Sequence, residues 1–416
     1  MKKSPSSGFR FIVISTLSLL TGTGQAQTTI EDLGAALFFD KNLSLNRNQA
    51  CSSCHDLGFG LADPDNVKNG TPVSAGSITT KSGTLNAPSG AYAAFSPFFH
   101  CDDKEKLYVG GQFWNGRAST LAEQAAGPFL NPVEMAMPDK WSVVERLRTS
   151  TQPNYQTMFA DAYGIDLSVI TPYTGDYVTP VTEANFPAGV REVYERMAKA
   201  IGEFEKTELF NRFNSKFDYY LAGLTTLSKQ EENGLKLFND QGKCNLCHPS
   251  EPAPATDGVS QVPPLFTDFT YDNLGLPQNV NIPGQPIDQG LGGRQNIAAN
   301  DPQKLQIGKH KVMTLRNIEL TPPYGHNGVF ATLEQIVHFY NTRDTLADVC
   351  KDNNDPGFAV TCWPAAEVSK NVNFEELGDL KLTAAQEADI IAFMKTLSDG
   401  WGPANDMPAL PRPTVP

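Results

Sequence analysis

Residues 51–55 read CSSCH, and residues 244–248 read CNLCH. Two cysteines two residues apart with a histidine directly after form the attachment pattern for c-type haem. The two thiols add across the two vinyl groups of the porphyrin, and the spacing sets both on one side of the ring. The adjacent histidine is thereby held beneath the iron as its proximal ligand. A dithiol redox pair has no need of that histidine. A zinc site needs two more ligands at hook spacing, and the six histidines, at 55, 100, 248, 310, 326 and 338, do not cluster that way. The chain is therefore expected to fold around two covalently bound c-type haems. One is anchored at Cys51, Cys54 and His55, the other at Cys244, Cys247 and His248.

The surroundings of the motif repeat too. Gly34, Leu37, Phe38 and Asp40 precede the first copy, and Gly234, Leu237, Phe238 and Asp240 precede the second. A short amphipathic helix feeding the motif, used twice, accounts for this. Further helices are predicted in TLAEQAAGPFLNP, GVREVYERMAKAIGEFEKTELFNRF, TLEQIVHFYNTRD and TAAQEADIIAFMKTL. Their apolar residues recur at helical spacing, and the last two open on an N-cap threonine with Glu or Gln in the first turn. Strand signals are weak. Residues 165–189 read as an irregular connection between domains. Residues 249–308, dense in Pro, Gly, Asn and Asp, read as a long loop with a function or something to cover. A length of 416 residues suits two or three domains. The expected fold is mainly α, with two cytochrome c-like haem domains at 27–205 and 206–416 and long irregular loops.

The net charge of −13 and the lack of a basic run argue against nucleic acid as a partner. Lys2, Lys3 and Arg10, the apolar stretch from Phe11 to Leu20, and Gly24-Gln25-Ala26 form an export signal over 1–26. The apolar stretch is shorter than the ~20 residues of a membrane span, and no later run could cross a membrane. The mature chain is expected in the periplasm. In that oxidising compartment Cys350 and Cys362, which bracket a polar loop, are expected to be bridged. Cys101 is left over.

The segments QFWNGRASTLAEQAAGPFLNPVEMAMP and TLRNIELTPPYGHNGVFATLEQIVHFYNTRD resemble the bacterial di-haem cytochrome c peroxidase superfamily, and in particular its MauG-like branch. The resemblance covers nearly the whole mature chain. It implies that the N-terminal haem reacts with peroxide, that the C-terminal haem is six-coordinate, and that a tryptophan lies between them. Trp114 matches that tryptophan. Gln124, Pro128 and Glu134 match the pocket over the open iron, and His326 matches the family's histidine in Tyr-x-His-x-Gly. Fourteen residues on, where ordinary peroxidases place a methionine ligand, stands Tyr340, the MauG-type choice. The resemblance also implies a calcium ion between the domains, with Asn86 and the carbonyls of Thr321 and Pro323 as candidate ligands. Oxygen ligands of this kind suit calcium.

The chemistry of these residue types agrees. Heterolysis of hydrogen peroxide needs a proton moved from the inner to the outer oxygen, and a carboxyl such as Glu134 can carry it. Gln124 could hydrogen-bond the peroxide. A phenolate lowers the potential of a haem where methionine raises it, so the resemblance implies an oxidising equivalent shared between both haems through Trp114. The implied partners are hydrogen peroxide and a protein substrate or a small electron-donor protein.

Two departures stand out. Thr71 occupies the position where ordinary members carry a removable distal histidine. Gly242 and Lys243 stand where MauG has a surface tryptophan before its second motif, leaving Trp141, Trp363 and Trp401 as substitutes. Two rival readings stay open. An ordinary cytochrome c peroxidase would ligate its second haem through Met313. A pure electron carrier would close its first haem with His100 or His310.

Overall fold

The computed structural model describes residues 27–254, 261–284 and 287–416, so the export signal at 1–26 lies outside the described residues. Among those residues eight helices of nine or more residues carry the fold. They are α1 (Ile30–Phe39), α2 (Leu121–Leu130), α3 (Lys140–Thr149), α4 (Tyr155–Tyr163), α5 (Val190–Glu205), α6 (Lys229–Asn239), α7 (Leu333–Thr342) and α8 (Ala384–Lys395). Strands are only two or three residues long and pair two at a time.

The sequence repeat is a structural repeat. Thr29 and Ser228 each cap their helix in a capping box, with Asp32 and Glu231 as the reciprocal partners. One turn on, Gly34 of α1 lies against the Ala200 carbonyl of α5, and Gly234 of α6 lies against the Asp389 carbonyl of α8. A Cβ at either glycine would collide with that carbonyl. The same register then brings Phe38 onto Phe204 at 5.5 Å and Phe238 onto Phe393 at 5.2 Å, both edge to face. Each pair starts the core of its own half. The first core joins α1 to α5, runs as far as Phe213 and takes in Val262 from the later loop, and the second begins at Phe217 and joins α6, α7 and α8.

Several sequence expectations change here. Residues 165–189 do not bridge the halves. Leu167 and Ile170 are buried in the first core, Tyr173 and Tyr177 pack on it, and the Tyr173 hydroxyl donates to Asp139 at 3.1 Å. Apolar residues three or four apart anchor this strap, a signal masked by its prolines and glycines. The loop at 249–308 also docks on the first half, through Leu265 and Phe269. Helices α3 and α4 went unpredicted because α3 mixes Lys140, Glu145, Arg146 and Arg148 with the buried Val143, Val144 and Leu147. The expected disulfide joins Cys350 to Cys362, with Cα atoms 5.2 Å apart. No described helix is long and apolar enough to cross a membrane.

A charged lock joins the halves. Arg316, 1% exposed, reaches both oxygens of Asp218 at 3.0 and 2.8 Å and donates through Nε to the Pro264 carbonyl at 2.7 Å. Its guanidinium lies 4.9 Å from the ring of Tyr92, which belongs to the first core. The Tyr92 hydroxyl in turn donates to Asp399 at 2.8 Å. Burial alone would raise the Asp218 carboxyl, but Arg316 and Ser215 outweigh it and hold it below its ordinary value.

Two outcomes are expected in denaturant titrations of the holoprotein. Gly34→Ala and Gly234→Ala each overpack a helix crossing and cost about 1–3 kcal/mol. Arg316→Met strands a buried carboxylate and costs about 3–5 kcal/mol. The Asp218 carboxyl is depressed in the folded state, so its stabilisation is complete above about pH 4 and is lost as pH falls through the folded value. An Arg316→Met protein with an unchanged midpoint at pH 7 would count against the lock.

Candidate active site

Each CxxCH motif makes a tight turn that ends on its histidine. The His55 amide donates to the Cys51 carbonyl at 3.0 Å, and the His248 amide to the Cys244 carbonyl at 2.9 Å. Both imidazoles point Nδ1 at a backbone carbonyl, Leu61 at 3.1 Å and Phe266 at 2.7 Å. That contact fixes the tautomer and leaves Nε2 as the donor for a metal. Leu61 and Phe266 both sit in the left-handed region, with φ of 61° and 52°. That conformation is uncommon for large side chains. Burial lowers both imidazole pKa values, that of His248 to about 4, so the rings are neutral, the form that ligates iron. The four thiols are unbridged. This donor set, a free thiol pair and an oriented neutral imidazole at each motif, fits a covalently held c-type haem.

The two motifs have different surroundings. The charge of Glu134 acts on the Cys51 and Cys54 thiols. Beside Glu134 lies a cavity of about 280 Å³ lined by Phe113, Arg117, Glu123, Pro128, Asn131 and Glu134. The Glu134 carboxylate accepts from Asn131 Nδ2 at 2.7 Å. Burial raises its pKa, opposed by Arg117 and Asn131. Pro128 and Gln124 share a face of α2 one turn apart. Gln124 is half-buried but does not line that cavity. Glu123 does, with its carboxylate engaged at 2.6 Å by the Ser119 amide.

The second motif opens on a largely apolar cavity. Cys244, Cys247 and His248 line it together with Leu276, Val337, Ile390 and Tyr340 of α7. Burial pushes the Tyr340 phenol up, and the Cys247 and Cys244 thiols add to the effect. Met313 lines this cavity and also a third one, between the halves.

Trp114 stands between the two halves and lines both of those cavities. Its Nε1 donates to the Asn86 carbonyl at 2.8 Å. Two histidines face it edge-on, His310 at 6.5 Å and His326 at 6.4 Å, and their rings stack at 3.7 Å and 8°. Each is paired to its own carboxylate, His310 Nε2 to Asp288 at 2.8 Å and His326 Nε2 to Glu367 at 2.9 Å. Asn86, Thr321 and Pro323 line the third cavity together. The Asn86 amide nitrogen Nδ2 donates to the Pro72 carbonyl at 3.0 Å. Among the described hydrogen bonds, the carbonyls of Thr321 and Pro323 accept none.

Some candidates fall elsewhere. His100 and Cys101 are exposed on a short hairpin. Both nitrogens of His310 are engaged, Nδ1 with the Gly308 carbonyl at 3.1 Å. His310 is thus committed to Gly308 and Asp288, and His100 lies on the surface with its Nδ1 on the Phe98 carbonyl at 2.8 Å. Thr71 is exposed. Trp141 is buried in the first half, Trp401 packs on Tyr219, and Trp363 packs on Phe339 of α7. Sequence reasoning missed Asp288 and Glu367, which carry no local signal. It also passed over Arg117, although that residue ends the same Phe-Trp-x-Gly-Arg stretch that identified Trp114.

Comparison with known proteins agrees with this geometry. Residues 28–226 match the family described as di-haem cytochrome c peroxidase. The chain is 36% identical over 408 residues to the methylamine utilization protein MauG of Paracoccus denitrificans, covering 94% of this chain and 95% of that protein. It is 30% identical over 383 residues to a cytochrome c551 peroxidase of Nitrosomonas europaea, covering 91% and 83%. Among solved structures, a variant of the di-haem peroxidase BthA of Burkholderia thailandensis is similar with a TM-score of 0.72 at 27% identity, covering 93% of this chain and 90% of that one. An identity of this extent, on a mainly helical fold with an oriented histidine behind each attachment motif, leads to one conclusion: the chain belongs to the di-haem cytochrome c peroxidase family, as a MauG-like, hydrogen peroxide-dependent oxidoreductase with two c-type haems.

Proposed function

We propose that the two haems divide the reaction between them. Cys51, Cys54 and His55 would hold the haem that supplies the chemistry with hydrogen peroxide, and Cys244, Cys247, His248 and Tyr340 would hold the second, which would store and pass on redox equivalents. The observation that carries this reading is the asymmetry of the two sites. Glu134 lines a cavity with Arg117 and Asn131, and Tyr340 lines the cavity of Cys244, Cys247 and His248. A polar cavity adjoins Glu134, whereas the walls around Tyr340 are mostly apolar.

When bound, the haems supply the redox equivalents. The residues of the chain supply the rest. Glu134 carries the proton from the inner to the outer oxygen of peroxide. Asn131 holds its carboxylate in place. Pro128 and Gln124 on α2 shape the approach. Trp114 carries electrons between the two sites, a role supported by its place in the wall of two cavities. Asn86 and the carbonyls of Thr321 and Pro323 hold a calcium ion, supported by their common cavity and by the unengaged carbonyls. The first half serves as a peroxidatic domain and the second as a Tyr-ligated domain, and the extent of the two cores favours a boundary between Phe213 and Phe217 over one at 205/206. The protein works in the periplasm, where its disulfide is stable. Its reductant is a side chain of a protein substrate or a small electron-donor protein.

Two measurements test this. Low-temperature EPR of the ferric holoprotein should show one high-spin and one low-spin haem, and both signals should collapse on adding peroxide without prior reduction. Tyr340→Met should abolish that response. Two low-spin haems indifferent to peroxide would sink the reading. A first haem that opens only after the second is reduced would point to the ordinary peroxidase, with Met313 as ligand.

In stopped-flow kinetics, Glu134→Gln should slow the peroxide reaction by about 10²–10⁴-fold. The carboxylate acts ionised, and burial raises its pKa. The wild-type rate should therefore fall on acidification already above the ordinary carboxylate range near about 4.3.

A further inference from the structure

The Phe-Trp-x-Gly-Arg stretch folds as a tight loop closed by the Gln112 amide on the Ala118 carbonyl at 2.7 Å. Phe113 sits at φ 68°, a costly conformation for a bulky residue. Gly116 sits at φ 65°, where a Cβ would collide with the Tyr271 hydroxyl. These two turns let neighbouring residues reach different cavities. Trp114 lines the cavities between the halves, and Arg117 lines the one that holds Glu134. The Arg117 guanidinium lies 3.4 Å over the Phe113 ring, and its Nη1 reaches Asn115 Oδ1 at 3.4 Å. Stacking of this kind fixes the plane of the cation. Arg117 and Glu134 act on one another electrostatically. Yet among the described residues they form no ion pair, although they line the same cavity. A fixed cation and a carboxyl that share a cavity without touching leave a gap for a small polar molecule.

We propose that Arg117 is a further catalytic residue of the peroxide reaction, holding the outer oxygen of hydrogen peroxide and stabilising the negative charge that collects there as the O–O bond breaks. The proposal rests on the reading of this cavity as the peroxide cavity. In the step, Glu134 takes the proton of the inner oxygen and returns it to the outer one. The O–O bond breaks heterolytically, and its electron pair leaves with the outer oxygen, which departs as water. The inner oxygen stays with the holoenzyme, which is thereby oxidised by two electrons. Glu134 cannot carry the proton and at the same time neutralise the leaving charge, since an ionised carboxylate would repel it. A guanidinium stays charged throughout and donates from fixed positions.

The test uses the holoenzyme with Arg117→Gln and Arg117→Lys, and fluoride as an anionic probe followed by optical titration. Carbon monoxide on the reduced protein is the neutral control. Arg117→Gln should weaken fluoride binding at least about tenfold and slow the peroxide reaction by about 10²–10³-fold, while carbon monoxide affinity stays within about twofold. Arg117→Lys should recover part of the fluoride affinity. The pH profile adds a readout that a packing role would not move. Without the cation the Glu134 pKa rises, so the acid limb of the peroxide reaction should shift to higher pH. Unchanged fluoride affinity and an unmoved acid limb would overturn the proposal. A parallel loss of fluoride and carbon monoxide binding would overturn it too, since the cavity wall would then have collapsed. If Glu134→Gln reacts with peroxide at the wild-type rate, the parent reading fails and this one with it. If Glu134→Gln is slow but Arg117→Gln is normal, only the role of Arg117 is lost.

Discussion

The contact of a glycine with a carbonyl one helix away is the constraint on which this molecule is built. It occurs at Gly34 on Ala200 and again at Gly234 on Asp389. With no side chain between them the helices cross at close range, and the phenylalanine one turn later must pack on the partner helix. That crossing leads the chain towards CxxCH twice, by a longer route in the first half than in the second, and both routes end with the histidine Nδ1 on a backbone carbonyl. That shared ending includes the small but costly detail that a large residue, Leu61 or Phe266, adopts left-handed backbone so that its carbonyl can orient the histidine.

Similar frames then receive unlike walls. Around the first motif the loop at 112–118 and the turn after α2 bring Arg117, Asn131 and Glu134 together. Around the second, α7 and α8 supply Val337, Tyr340 and Ile390. Charged groups in a small polar cavity suit proton transfer to a small substrate. A phenol among aliphatic side chains suits a closed redox centre that exchanges only electrons. The duplication supplies two haem sites, and the proposed division of labour rests on the divergence of their walls.

Several buried charged groups lie at the boundary between the halves. Arg316, held in place by Asp218, faces Tyr92 of the first core, and the Tyr92 hydroxyl donates to Asp399 of the second half. The stacked His310 and His326, with Asp288 and Glu367, frame Trp114. Two imidazoles in van der Waals contact cannot both carry a proton at little cost, so each is matched to its own carboxylate rather than to the other. Burying so many polar groups costs stability unless each is partnered. The residues here are partnered across 22, 41 and 98 positions of chain.

Much was legible before any coordinates. The two attachment sites, the helices that feed them, the capped helices α2, α7 and α8, and the Cys350–Cys362 bridge all follow from residues within a few positions of each other, where spacing and capping chemistry act directly. The position of Tyr340 was legible only through its register in a recognised motif, and by itself it reads as an ordinary buried aromatic. The strap at 165–189 was misread, because what it covers lies elsewhere in the chain. The sequence by itself determined that there are two attachment motifs, where they stand, and which histidine follows each. Only the tertiary structure decided that Arg117 shares a cavity with Glu134, that His310 stacks on His326, and that Asp288 and Glu367 reach them. Those meetings depend on how distant segments pack, and no local pattern of residues records that.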